Sequence, residues 1–270
     1  MGIVTDWSFL RPRICFCALI TALVLLPAAW AAEPAGSGSR TLEVVVMDVG
    51  QGDGIYIQTP AGKHILIDAG PDARRGVLPF LRSRRIRKID AMVMTHPHSD
   101  HIGGAVSPRD WQGRGVKSVL DYCEVRQVLD SGKEHPTPEY KSLLESVERL
   151  GIGYSQPRTG DQLKWDPALK VTVLHPDRAD YVNINDNSIV IRVEYGKNSF
   201  VFTGDAEVDA EAEVVSRFGQ ALKSDVLKVG HHGSKYSTAG EFLKAVQPKY
   251  AVIQSGKENR YGHPAYSTLW

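Results

Sequence analysis

Residues 95–104 read THPHSDHIGG, which places His96, His98, Asp100 and His101 within six residues and sets Gly103 and Gly104 directly behind them. Packing alone gives no reason to crowd four metal-competent side chains onto so little backbone. In an extended segment residues i and i+2 point the same way, so His96 and His98 can grip one ion. Asp100 and His101, displaced along the turn, reach a second. Zinc accepts imidazole and carboxylate at short distance, and a catalytic site keeps one position open for water.

The motif directly follows an apolar strand, DAMVMT (90–95), and two further loops end strands in the same manner: TGD (203–205) and GHHGS (230–234). Six of the nine histidines fall in the first loop, the third loop or YGHP (261–264), a clustering that a random scatter does not produce. Asp205 has two carboxylate oxygens and can bridge two ions, a geometry suited to activating water against a carbonyl or phosphoryl centre. Adjacent side chains of a strand face opposite ways, so only one of His231 and His232 need be a ligand.

Around these loops the pattern is that of an α/β protein. Short β-branched runs, TLEVVVMDV (41–49), GIYIQT (54–59) and HILIDA (64–69), are separated by glycine-rich turns and read as a strand meander. GVLPFLRSRR and PEYKSLLESVERLG read as helices, and further strands are expected near 171–174, 188–194 and 199–202. The last third alternates a helix near 207–218, the strand DVLKVG, the helix GEFLKAV and the strand YAVIQS. Strands then helices, twice over, predict two packed sheets with helices outside. The basic run RSRRIRK (82–88) is either a solvated helix end or a phosphate contact.

The N-terminus reads differently. Arg11 and Arg13 precede the apolar run from Ile14 to Leu26, followed by Pro27 and small residues ending in an A-x-A site at 29–31. That order is a secretory signal over residues 1–31, and the run is shorter than the roughly 20 residues that span a membrane. An uncleaved N-terminal anchor is the alternative. Residues 32–40 read as a linker and 41–270 as one domain, exported to the periplasm or secreted, its signal recognised by the export machinery. At 42% hydrophobic and 23% charged, the chain can bury a sizeable core. Removing the signal takes away two of the 32 basic and one of the 31 acidic residues and leaves a neutral protein. Composition therefore gives no support to phosphate-driven nucleic-acid binding. Cys15 and Cys17 leave with the signal, so Cys123 has no intramolecular partner and stability falls to core packing or bound metal.

H-x-H-x-D-H-x-G-G, then T-G-D, then a later histidine resembles the metallo-β-lactamase superfamily. MDVGQGDGIYIQTPAGKHILIDAG, NDNSIVIRVEYGKNSFVFTGD, DVLKVGHHGS and YGHP resemble, in order, the metallo-hydrolase domain of ComEC-type DNA-uptake competence proteins. The resemblance implies an αββα four-layer sandwich of two mixed sheets with two divalent metal ions, zinc or manganese. It implies His96 and His98 on the first metal, Asp100 and His101 on the second, and Asp205 bridging, so that Asp100 and Asp205 also carry the chemistry. His232 is the favoured last ligand, with His231 beside it to meet substrate. Asp68, ending LIDAG, stands behind the metal loop as the acceptor that orients a ligand.

Two departures stand out. Many members supply another histidine before T-G-D, where this chain has NINDNS; Asn185 or Asp186 takes that place, and His175 in VLHPD is a further candidate at a strand end. Oxygen in place of nitrogen weakens the preference for zinc and favours manganese. The chain also stops at Trp270, short of the helix and strand that relatives add after YGHP, which leaves one sheet edge unfinished. The resemblance implies phosphodiester hydrolysis, of a small phosphodiester or single-stranded DNA, with Asn185, His231, His263 and Asn259 lining the pocket. Competing readings keep the metal site but cleave a lactone, β-lactam, thioester or phosphorylcholine ester, or bind without catalysis. No stable protein partner is inferred.

Overall fold

The computed structural model describes residues 3–6, 14–16, 41–106 and 118–269. Of the expected signal and linker, only two short strands, β1 (Ile3–Asp6) and β2 (Ile14–Phe16), fall within it. The remainder of both segments lies outside the described residues.

The meander forms as the alternating sequence requires. β3 (Glu43–Val46), β4 (Ile55–Gln58) and β5 (His64–Ile67) pair antiparallel in sequence order. Helix α1 (Val77–Ser83) and the short β6 (Lys88–Ile89) lead to β7 (Ala91–Met94), which lies parallel to β5. The single turn α2 (Ser99–Ile102), α3 (Val119–Tyr122) and β8 (Glu124–Val125) follow, with β8 pairing β6. β9 (Gln127–Asp130), α4 (Pro138–Arg149) and β10 (Gly153–Ser155) complete a first sheet in the order β10-β9-β7-β5-β4-β3.

The second sheet opens with β11 (Lys170–His175), β12 (Val190–Tyr195) and β13 (Asn198–Phe202), antiparallel to one another. Helix α5 (Val208–Phe218) crosses to β14 (Val226–Lys228), and α6 (Gly240–Val246) crosses to β15 (Tyr250–Ile253). β14 runs parallel to both β13 and β15, so this sheet, like the first, is mixed. β1 pairs antiparallel along the far side of β15, the edge expected to be open, and α7 (Tyr266–Leu269) ends the described chain.

Period-two alternation builds the layers. Ile55, Ile57, Ile65, Ile67, Ala91 and Val93 face Val171, Val173, Ile191 and Val193 between the sheets. Their alternates Tyr56, Leu66, Met92 and Met94 point the other way, beneath Val77 and Leu81 of α1 and Leu143 of α4. On the opposite side Val190 and Val201 pack against Ala210, Val214, Phe242 and Val246 of α5 and α6. The result is helix, sheet, sheet, helix.

The basic run lies at the end of α1, where Arg84 pairs with Glu43 and Arg87 sits 3.9 Å from the centre of the Tyr122 ring. The helix-end reading therefore accounts for it. Among the described residues no helix is long and apolar enough to cross a membrane.

Candidate metal centre

The C-terminal ends of β5, β7, β13 and β14 bring Asp68, the residues 96–101, Asp205 and the residues 231–232 to one edge of the sandwich. Strand carboxyl ends are where open α/β sheets collect their ligands. Close packing at this edge fixes the glycines behind the opening motif. A Cβ on Gly103 would lie 2.1 Å from the Pro71 carbonyl oxygen, and one on Gly104 2.1 Å from that of Ala69. The metal loop can be held this tightly against the β5 turn only without side chains at those positions.

One oxygen is the hub of the site. Asp205 Oδ2 lies 3.2 Å from His101 Nε2, 3.3 Å from His232 Nε2, 3.8 Å from His231 Nε2 and 3.9 Å from His96 Nε2. His96 Nε2 is in turn 2.9 Å from His98 Nδ1, and Asp100 Oδ2 is 3.3 Å from His232 Nε2. The six side chains named for the two metals, with His231, therefore share one cluster. Asp100, His101, Asp205 and His232 each present a ligand atom within 4.8 Å of the others.

His231 and His232 do not alternate as strand neighbours would. Both adopt left-handed backbone, φ 42° and 54°, in a tight turn after β14, and both rings consequently reach Asp205. Such backbone in non-glycine residues is costly and persists where surrounding structure imposes it.

The cluster's charges call for cations. Burial disfavours the imidazolium of His101, yet the carboxylates of Asp205, Asp68 and Asp100 outweigh it and hold its pKa well above the usual histidine range. His232 is raised in the same way, burial being overcome by Asp205 and Asp100. Burial, and then the positive charge of His101, pushes His96 well below the ordinary value, and burial likewise lowers His98. The first pair of ligands thus offers neutral lone pairs, while the second pair sits in a negative field. His101 Nε2, His232 Nε2 and Asp205 Oδ1 are buried with no hydrogen-bond partner. Buried orphans of this kind demand a partner, and a divalent cation held by the imidazoles and the Asp205 carboxylate would supply one.

Asp68 lies directly behind His101, where the expected positioning role requires it. It is fully buried, accepts from His101 Nδ1 at 2.8 Å, and is held by the Thr95 backbone N–H at 2.8 Å and hydroxyl at 2.7 Å. A carboxylate behind a ligating imidazole fixes its tautomer and orientation.

At the NINDNS turn the structure separates the candidates. Asn185 faces the site: its Nδ2 donates to Glu207 Oε1 at 2.9 Å, its amide lies 3.4 Å from His231 Nδ1, and its Oδ1 is buried without a partner. The Asp186 carboxylate is placed elsewhere than the ligand reading put it, accepting the Glu207 backbone N–H at 3.0 Å ahead of α5, whose amide donors attract it. His175 also serves the fold, with Nε2 2.6 Å from the Asp186 carbonyl oxygen. His263 borders the cluster, its ring 5.3 Å from that of His231. Asn259 instead braces its own loop: Oδ1 accepts from the Tyr261 and His263 backbone N–H groups, and Nδ2 donates to the Gly256 carbonyl at 2.8 Å.

Four residues here escaped the sequence reading. Glu207, two positions after Asp205, accepts from His231 Nδ1 at 2.8 Å. Asp53, in the glycine-rich GQGDG turn, is buried 3.4 Å from His232 Nδ1 and forms an ion pair with Lys228. Lys228 is 1% exposed, donates to the Gly204 carbonyl at 3.0 Å and stands 4.0 Å from Asp205 Oδ1. His135, held by Thr137, brings its ring to 5.7 Å from that of His98. The glycines around Asp53 were the one available signal; a lysine in a strand, by itself, reads as solvent-facing.

The chain's sequence is similar to those of known proteins. The family description "Metallo-beta-lactamase superfamily" matches residues 47–257. The chain is 33% identical over 245 residues to ComE operon protein 3 of Bacillus subtilis, covering 84% of this chain and 30% of that protein. It is 31% identical over 246 residues to competence protein ComA of Neisseria gonorrhoeae, covering 90% and 31%, and 34% identical over 236 residues to recombination protein 2 of Haemophilus influenzae, covering 85% and 26%. The chain thus spans about a third or less of these relatives' lengths. With their sequences, the αββα layers and the buried imidazole–carboxylate cluster in agreement, the chain belongs to the metallo-β-lactamase superfamily, as a metal-dependent hydrolase related to ComEC-type competence proteins.

Proposed function

We propose that the protein is an exported, dinuclear metal-dependent phosphodiesterase or nuclease. The observation that carries this reading is the convergence of four imidazoles on one oxygen of Asp205. A carboxylate so placed can join two ions, with His96 and His98 on one and Asp100, His101 and His232 on the other. The bound ions would supply an activated water and neutralise the phosphoryl oxygens.

The chain's own groups complete the chemistry. Glu207 accepts the Nδ1 proton of His231, which leaves the Nε2 lone pair turned toward Asp205, where it can accept a hydrogen bond from a water or substrate hydroxyl. Burial opposes the charged form of Glu207, but its bonds from His231 and Asn185 hold its pKa below the usual value, so it remains an anion that fixes the ring. The orphaned Asn185 Oδ1 and the His263 ring beside His231 support assigning these two residues to substrate contact. The relatives' names include competence proteins, which favours a nucleic-acid phosphodiester over a lactam. The charged, apolar, small-residue order of 1–31 supports export.

The test is turnover of bis(4-nitrophenyl) phosphate and of single-stranded DNA with added manganese or zinc, beside a panel of lactones and β-lactams. Phosphodiester cleavage that falls by at least about 100-fold in His98→Ala and Asp205→Ala supports the reading. Cleavage of a lactone or lactam with no phosphodiester turned over at full metal loading would overturn it.

A further inference from the structure

Rings leave the metal cluster in a row. From His231, whose Nε2 is 3.8 Å from Asp205, the next ring is His263, centroids 5.3 Å apart and nearly perpendicular. Beyond it Tyr261 stacks on His263, centroids 5.8 Å apart and planes inclined by 25°. Tyr261 remains 55% exposed, so its ring is open to solvent beside His263. Arg260 lies alongside, its guanidinium 5.0 Å from the Tyr261 ring centre and bonded to the phenol oxygen at 2.9 Å.

The row is built rather than incidental. Asn259 fixes the backbone of both Tyr261 and His263 through its side-chain oxygen, at 3.1 and 3.0 Å, and Ser255 holds the His263 carbonyl at 2.8 Å. The loop therefore presents the Tyr261 ring at a set distance from the cluster. A flat aromatic surface with a cation at its edge, one step out from a phosphodiester site, matches how single strands are held: bases stack on aromatic rings while cations follow the backbone.

We propose that Tyr261 is a base-stacking platform for the nucleotide that flanks the phosphodiester held at the cluster, with Arg260 placed to meet the neighbouring phosphate. The assignment rests on the phosphodiesterase reading and deepens it, by requiring that the substrate carry a base beside the scissile bond.

The experiment compares a short single-stranded oligothymidylate with an oligomer of the same length made of abasic units, which has the same phosphates and no bases. Binding is followed by fluorescence anisotropy with a chelator present, and KM is measured with manganese. In Tyr261→Ala, Kd and KM for the oligothymidylate rise about 10-fold with kcat nearly unchanged, Tyr261→Trp restores both, and the abasic oligomer is unaffected. Equal weakening of both oligomers, or no weakening of either, overturns the platform. Base-dependent binding without hydrolysis of any phosphodiester would instead leave the platform standing and remove the hydrolase reading.

Discussion

Asp205 is the residue on which the centre turns, because one of its oxygens faces four imidazoles while the other lies 4.0 Å from the Lys228 ammonium. Replacing it by alanine removes the shared ligand and leaves His101 and His232 buried without their main counter-charge. Metal content, measured by elemental analysis after dialysis, is expected to fall below that of the wild type. Asp68→Asn is the subtler change. It keeps shape but loses the anionic acceptor of His101, and metal affinity should fall about 10- to 100-fold in a competition with a chelator. The pKa directions set the pH dependence. In the metal-free protein His101 and His232 hold protons above the ordinary imidazole range, and a metal must displace them. Affinity therefore rises with pH, and calorimetry in buffers of different ionisation enthalpy should show proton release at neutral pH. Uptake of protons, or none exchanged, would contradict the charge state assigned to the cluster.

At the scale of elements, α5 is tied to the start of α6 through Glu211, which is 2% exposed and accepts the backbone N–H groups of Thr238 at 2.5 Å and Ala239 at 2.8 Å. Burial outweighs these bonds and pushes its pKa up to about 7. A carboxyl raised on folding is protonated in the native state and already ionised in the unfolded chain, so the folded state binds the extra proton between about pH 4.5 and 7. Stability is lost as pH rises through that window, by about 3 kcal/mol. Denaturant midpoints measured from pH 5 to 8 should fall in the wild type and vary less in Glu211→Gln. The first layer offers a plainer test. Leu143 of α4 is fully buried against the first sheet, and Leu143→Ala is expected to cost 2–5 kcal/mol by the lost burial and the cavity left behind. The turn after β14 marks the limit of pattern reading at this scale. Strand alternation would send His231 and His232 to opposite faces, whereas left-handed backbone at both brings them to the same oxygen.

The whole molecule is held at the site edge by contacts between segments far apart in sequence. Gln254 Nε2 donates to the Met47 carbonyl at 2.9 Å, and the Gly256 N–H to Gln51 Oε1 at 3.0 Å, so the last parallel strand is tied to the first meander beside the cluster. Metal bound only by the native state adds to its stability by mass action, about 2.7 kcal/mol at a hundred times Kd. Stripping metal with a chelator should accordingly lower Tm by roughly 5–10 °C for a domain of this size. Restoring manganese or zinc should recover it, and a Tm insensitive to both would argue against a metal bridging the strand ends.

The residues themselves determined the alternation that builds both sheets, the helices between them and the crowding of ligands at strand ends, because periodicity and turn chemistry are local properties of the chain. The gathering of His96, His98, Asp100, His101, Asp205 and His232 was legible from those short, ligand-rich runs together with the family resemblance that implied their roles. Only the tertiary structure decided that Lys228 and Asp53 form a buried pair beneath the cluster, that Glu207 braces His231, and that Asn185 rather than Asp186 faces the centre. These depend on which segments meet and on the signs of φ at single residues, and neither is encoded in any one stretch of sequence.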